Sequence, residues 1–132
     1  MNKMENSGSA TLLEISNPTA IDRASMLARV EGDTELLLEM AALFLEDCPK
    51  QMLAIREAVI SHDGPALERA AHTLKGAVGN FVTQGAFDTA LQLEMLARKG
   101  DLSRAEETYL TLQAHIEQVS AELETITREL GN

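Results

Sequence analysis

Apolar side chains recur at every third or fourth position along most of the chain, the spacing that places them on one face of an α-helix. Two long stripes show this most clearly. The first consists of Leu37, Ala41, Phe44, Cys48, Met52, Ile55 and Val59. The second consists of Tyr109, Leu112, Ile116, Val119, Leu123, Ile126 and Leu130. We therefore predict two long amphipathic helices, and no segment shows the two-residue alternation of a strand.

Residues that start and stop helices divide the pattern further. The predicted helices cover about residues 22–30, 34–61, 65–81, 84–99 and 103–130. Asp22 and Asp33 are expected to cap the first two. Gly64 suits the end of the second helix, and the proline after it suits the first turn of the third. Thr83 is a candidate cap for the fourth, and the segment 103–106 reads as a capping box for the fifth.

Pro49 lies inside the second helix, but the apolar stripe continues in phase across it, so we expect one bent helix rather than two. The last stripe alone would also suit a coiled coil. Together with the other amphipathic segments and their short loops, it favours an all-α, antiparallel four-helix bundle with a short additional N-terminal helix. Residues 1–19 are polar and aperiodic, which predicts a flexible tail before a domain over 20–132.

The amino-acid composition limits the kinds of partner that the chain is expected to bind. The net charge of −10 disfavours binding to nucleic acid or to an anionic membrane surface. No apolar run is long enough to span a bilayer, and residues 1–10 do not read as a signal peptide. The single cysteine, Cys48, excludes an internal disulfide and is expected to be buried and inert. We expect a soluble, cytoplasmic protein.

Residues 72–76, with the sequence HTLKG, carry the candidate chemistry. Helical geometry turns His72 away from the core face of the third helix. On the same side of that helix as His72 lie Glu68, Lys75, Gly76 and Gly79. Two glycines on a solvent face add no packing, so we interpret them as clearing a surface on which a partner can approach the imidazole. A frayed or kinked helix is the alternative.

The residue types at this site suit phosphoryl transfer. A neutral imidazole is a nucleophile near pH 7, and the ammonium of Lys75 can pair with phosphoryl oxygens. The sequence has no glycine-rich phosphate loop and no carboxylate cluster arranged for Mg²⁺. We therefore expect a phosphoryl carrier rather than an enzyme, with no cofactor of its own and with Mg²⁺ supplied by its partner.

The segment 71–81 resembles the active helix of histidine-containing phosphotransfer (HPt) domains, and the likeness extends over about residues 20–128. It includes Leu27, the turn at 31–33, Phe44 and the pair at 93–94. One departure is Val82, where many relatives have a glycine that helps to end the third helix. The resemblance implies a phosphorelay intermediate in two-component signalling.

Several site assignments follow from the resemblance. It implies that His72 is the phosphorylation site, that Lys75 assists the phosphoryl group, and that Gly76 and Gly79, with Glu68, form the docking surface. Glu94 stands where relatives often have Gln or Glu, so it is a candidate for orienting the ring. The implied partners are response-regulator receiver domains, with a hybrid sensor histidine kinase as a further candidate, and the implied state is a monomer.

Other interpretations stay open at this level. The chain could be a docking module that inhibits a receiver or kinase without phosphorylation, a kinase dimerisation module, or a plain bundle with a chance motif. Glu68 and His72 could share a metal, but no third ligand is recognisable, so we predict no metal site. His62 and His115 suit a helix end and a partly exposed surface. Leu91 and Met95 could widen the core or add apolar docking area beside His72.

Overall fold

A computed structural model describes residues 21–131, and within that range every regular element is a helix. The helices are α1 (Arg23–Arg29), α2 (Thr34–Ser61), α3 (Gly64–Val78), α4 (Ala86–Lys99) and α5 (Ala105–Leu130). The predicted all-α class is confirmed. The tail predicted over 1–19 lies outside the described residues.

The four longer helices close into a ring. α2 packs on α3, α3 on α4, α4 on α5, and α5 returns to α2. Because short loops join the successive helices, neighbours in the ring run antiparallel. The predicted four-helix bundle with a short extra helix is therefore confirmed.

The core is built from aliphatic side chains on the inner face of each helix. Its largest members with almost no exposure are Leu37, Ile55, Leu67, Leu74, Leu93, Leu112 and Leu123. Burying one such side chain stabilises a fold by about 1.5–3 kcal/mol. On α3, Leu67, Leu74 and Val78 are each 0% exposed. They fix the rotation of that helix about its axis, and this rotation turns His72 to the outside.

The short helix α1 closes one end of the bundle. Its Met26 is buried, and the guanidinium of Arg29 donates to the backbone oxygens of Gly79 and Asn80, at 3.3 and 2.9 Å. At the other end of the same segment, the Ile21 N–H donates to Glu122 Oε1 at 2.9 Å. α1 and the residues that flank it therefore connect α5 to the loop that follows α3, the helix that carries His72.

Aspartates cap the first three helices. The side chains of Asp22 and Asp33 accept from backbone N–H groups of α1 and α2, as predicted, and Asp63 Oδ1 accepts from the Ala66 N–H at 3.1 Å. α2 has the predicted bounds and is continuous through Pro49. The residue that ends α2 in a left-handed conformation is His62, with φ 57°, rather than the expected Gly64, which is the first residue of α3.

The predicted end of α3 was wrong by about one turn. The helix ends at Val78 rather than at residue 81, and Gly79 follows as its cap. Phe81 and Val82 come after the helix but are buried, and the Phe81 ring lies edge-on to Phe44 with 5.4 Å between ring centroids. The chain leaves the helix early because these two side chains turn inward to fill the core below it.

The predicted starts of α4 and α5 also need correction. Gly85, with φ 60°, precedes α4, and Thr83 does not cap it. A left-handed turn of this kind is accessible to glycine at little cost, so no side-chain cap is needed to redirect the chain. At α5 the expected capping box is absent, because the Ser103 hydroxyl donates instead to Asp101 Oδ1 at 2.8 Å.

Candidate functional site

His72 projects from the middle of α3 into solvent. Its side chain is 66% exposed, which confirms the orientation predicted from helical geometry. One ring nitrogen is nevertheless engaged, because Nδ1 lies 2.9 Å from Glu94 Oε2 on the neighbouring helix α4. The imidazole is therefore accessible and at the same time held in one orientation.

The Glu94 carboxylate is the buried centre of the site. The residue is 3% exposed, and Lys75 Nζ forms an ion pair with its Oε1 at 2.8 Å. Contact with the Lys75 ammonium, followed by the hydrogen bond with His72, lowers the pKa of Glu94 below its ordinary value, although burial acts in the opposite direction. Glu94 is therefore ionised at neutral pH despite its burial.

An ionised Glu94 determines which nitrogen of His72 is free. A carboxylate can only accept hydrogen bonds, so Nδ1 must carry the proton that joins it to Oε2. In the neutral ring the other nitrogen, Nε2, then keeps its lone pair. The arrangement presents an unprotonated nitrogen on an exposed ring, which is the form in which imidazole acts as a nucleophile.

Arg98 completes the cluster, and its role was not predicted from the sequence. Its Nη2 donates to Glu94 Oε2 at 2.9 Å, and its Nε donates to Glu68 Oε2 at 2.8 Å. Contact with Glu68, then with Glu94, raises the pKa of the guanidinium above its ordinary value. The signal available in the sequence was the four-residue spacing between Glu94 and Arg98, which places opposite charges together on one helix.

Glu68 and Lys75 both take part in ion pairs between α3 and α4. Glu68, predicted as part of the docking surface, is paired with Arg98 across the α3–α4 contact. Lys75 is only 21% exposed and points to Glu94 rather than standing free beside the ring. Both side chains therefore help to hold Glu94 and its neighbours in place.

Gly76 and Gly79 differ in the space available around them. A methyl group added at Gly76 would meet nothing within 4 Å, so this position is open surface beside His72. A methyl group added at Gly79 would lie 3.3 Å from Phe87 Cε1 and 3.3 Å from the Lys75 carbonyl oxygen. Gly79 therefore has a packing reason to be glycine, because it lets the Phe87 ring lie against the end of α3.

The remaining candidates lie apart from this cluster or beside it. His115 is half-buried against Gly85, and His62 is exposed at the end of α2. Cys48 is buried, as predicted, and burial raises the pKa of its thiol to about 11. Next to Glu94 on α4, Met95 is 43% exposed, so of the two alternatives it does not widen the core. Leu91 is half-buried.

Within residues 21–131, no group of three or more His, Cys, Asp or Glu side chains is placed to hold a metal ion. In the same range, none of the helices combines the length and the apolar character that a membrane span requires.

Comparison with known proteins agrees with this geometry. The sequence model of the Hpt domain family matches residues 39–122, which is more than half of the chain and includes His72, Lys75, Glu94 and Arg98. The chain belongs to the Hpt domain family. Hpt domains are phosphoryl carriers of phosphorelays, so the resemblance predicted from the sequence is confirmed.

A solved Hpt protein shares the fold. The chain is similar to the crystal structure of histidine-containing phosphotransfer protein B (HptB) from Pseudomonas aeruginosa PAO1, with a TM-score of 0.78 and 20% sequence identity. The match covers 85% of this chain and 97% of that chain. At this identity the likeness shows the common helical bundle. Among curated proteins, no sequence matches this one.

Proposed function

We propose that this Hpt domain accepts a phosphoryl group on His72 from the aspartyl phosphate of one receiver domain and passes it to the aspartate of another. The observation that carries the proposal is an exposed imidazole whose Nδ1 is held by a buried, ionised carboxylate, Glu94. An exposed nucleophile suits a reaction completed by the active site of a partner.

The chemistry follows from the free nitrogen. Nε2 attacks phosphorus, the new N–P bond forms, and the P–O bond to the receiver aspartate breaks, so that the carboxylate leaves with its electron pair. The ring becomes a phosphorylated imidazolium that keeps its proton on Nδ1, and its positive charge is stabilised by Glu94 at 2.9 Å. Attack by a second receiver carboxylate reverses these steps and restores the neutral ring.

Lys75 has two roles in this proposal. In the unphosphorylated domain it keeps Glu94 ionised through the 2.8 Å ion pair with Oε1. Once phosphoryl oxygens are present beside His72, the same ammonium can turn towards them and offset their charge. We propose that Gly76, which is open to solvent, lets the receiver backbone approach the ring closely.

The receiver is proposed to supply Mg²⁺. Glu68 and Glu94, the carboxylates in the cluster around His72, already pair with Arg98 and Lys75. We further propose that the domain acts as a cytoplasmic monomer and has no catalytic activity of its own. Within the described residues, its four long helices close a single apolar core around themselves without a second chain.

The test is phosphoryl transfer from a panel of radiolabelled receiver domains. We expect an acid-labile, base-stable label on the wild-type chain and none on His72→Gln. His62→Gln and His115→Gln are matched controls that should be labelled like wild type. Label on His72→Gln would refute the site. A folded wild-type domain that binds a receiver but takes no label would favour the inhibitory docking module instead.

A further inference from the structure

Arg98 occupies a position that the transfer chemistry alone does not explain. Its guanidinium contacts two carboxylates on different helices, Glu68 on α3 and Glu94 on α4. On Glu94 it shares the same oxygen, Oε2, with His72 Nδ1. Since both groups lie 2.9 Å from that oxygen, the guanidinium nitrogen and the imidazole are within about 6 Å of each other.

A carboxylate beside an imidazole has two effects that oppose each other in this reaction. It orients the ring, but it also favours the protonated imidazolium, which has no free lone pair. Here the negative charge on Glu94 is shared among three neighbours. Lys75 takes Oε1, and Arg98 competes with the ring for Oε2. A nearby guanidinium also disfavours a second positive charge on the imidazole directly.

We infer that Arg98 is a positioning residue for phosphoryl transfer, which holds Glu94 in place while limiting the tendency of that carboxylate to protonate His72. The inference rests on the proposed function of His72. Glu68 anchors the guanidinium at 2.8 Å and so fixes its fork between the two helices.

Other charged side chains also lie near His72 on the two helices. On α3, the charged neighbours at three or four residues are Glu68, Arg69 and Lys75; on α4 they are Glu94 and Arg98. Glu68 is paired with Arg98, and Lys75 with Glu94. Removing Arg98 therefore leaves Glu68 without its ion pair and Glu94 Oε2 with His72 alone, and both changes favour the imidazolium.

The first experiment is an NMR titration of the His72 ring protons in the full chain, with wild type, Arg98→Ala and Arg98→Lys. One charge removed at about 6 Å in a water-like dielectric changes a protonation equilibrium by about 0.5 pH unit. We expect the titration midpoint to rise by about that amount in Arg98→Ala. It should stay near the wild-type value in Arg98→Lys, which keeps the charge.

Arg104→Ala is the matched control. Arg104 is also exposed and forms a 2.8 Å ion pair with Glu107, but it lies at the start of α5, which packs on α4 and α2. The Arg104→Ala variant loses one positive charge, as Arg98→Ala does, and its titration midpoint for His72 should equal that of wild type. A midpoint that is the same in wild type and Arg98→Ala would overturn the inference. A lower melting temperature as the only effect would overturn the inference as well, because Arg98 would then stabilise the contact between α3 and α4 without affecting His72.

The second readout is the pH profile of phosphoryl transfer from a receiver. We expect the rising limb for Arg98→Ala to move to higher pH by the same amount as its titration midpoint. Its plateau at high pH should be a few-fold lower, since Glu94 is held less firmly. Arg98→Lys should restore the wild-type position of the rising limb, but its plateau rate should stay below that of wild type. If wild type accepts no phosphoryl group, the proposed function fails, while the titration still decides whether Arg98 controls the protonation of His72.

Discussion

Gly76 offers a substitution for which stability and function should change in opposite directions. It lies in the last turn of α3, and a methyl group there would meet nothing within 4 Å. Glycine in a helix costs roughly 0.5–1 kcal/mol relative to alanine, because the unfolded chain loses more freedom on folding. Gly76→Ala should therefore raise the free energy of unfolding by about that amount and the melting temperature by about 2–6 °C.

The functional effect should grow with the size of the new side chain. Gly76→Gln keeps good helix propensity but places a long side chain one turn from His72. We expect transfer from a receiver to fall at least about tenfold, a loss of about 1.4 kcal/mol in transition-state stabilisation. A small phosphoryl donor such as phosphoramidate should still label His72 at the wild-type rate, because it needs no docking surface.

The assays are urea unfolding, thermal melts and transfer from a labelled receiver, with Gly79→Ala as the matched glycine control. At Gly79 the methyl group would press on the Phe87 ring at 3.3 Å, so the gain in stability should be absent. Transfer to Gly76→Gln at the wild-type rate would show that partners do not use this surface. A loss of stability in Gly76→Ala would contradict the open space described beside His72.

Four further outcomes follow from the same structure. Asp63→Ala should lower the free energy of unfolding by about 1 kcal/mol in urea, because the N-cap of α3 is lost. Leu74→Ala should cost about 2–5 kcal/mol in the same measurement, whereas Leu53→Ala, at a position 52% exposed, should cost far less. Cys48 should react with a thiol reagent only on unfolding, because its thiol is buried and its pKa is raised to about 11. The pKa of Glu94 is lowered in the fold, so its charge contributes stability above about pH 4.5, its ordinary value, and that contribution is lost as the pH falls through the folded value. The stability advantage of wild type over Glu94→Gln, followed by urea unfolding from about pH 7 to about pH 3, should therefore shrink.

The helices could be predicted from the sequence where apolar periodicity was long. The stripe of α2 is uninterrupted, and its N-cap, Asp33, and its passage through Pro49 follow from local signals, whereas its C-cap, His62, was not predicted. The boundaries between α3 and α4 could not be predicted in the same way. Their position depends on Phe81 and Val82 turning into a core built by other helices, and on the left-handed turn at Gly85. No local pattern in the sequence records those two requirements.

The candidate site likewise combines features that could be predicted from the sequence with features that could not. The exposure of His72 follows from the rotation of one helix, which its own apolar residues determine, so helical geometry was sufficient. The burial and ionisation of Glu94 depend on how α4 lies against α3, and only the resemblance to a family pointed to this residue. Arg98 was missed because its importance comes from reaching Glu68 on the other helix.

The geometry around His72 depends on the contact between α3 and α4. The proposed nucleophile on α3, His72, is exposed, and its Nδ1 is held by a carboxylate on α4. That carboxylate is in turn shared between one cation from each helix, Lys75 and Arg98. A shift of α4 along α3 would change the His72–Glu94, Lys75–Glu94 and Glu68–Arg98 distances together, whereas a joint shift of both helices against α2 or α5 would leave them unaltered. The α3–α4 contact is therefore the part of the bundle where packing and transfer chemistry are coupled. Substitutions in the core between those two helices should alter the pH profile of transfer more than equally destabilising substitutions elsewhere.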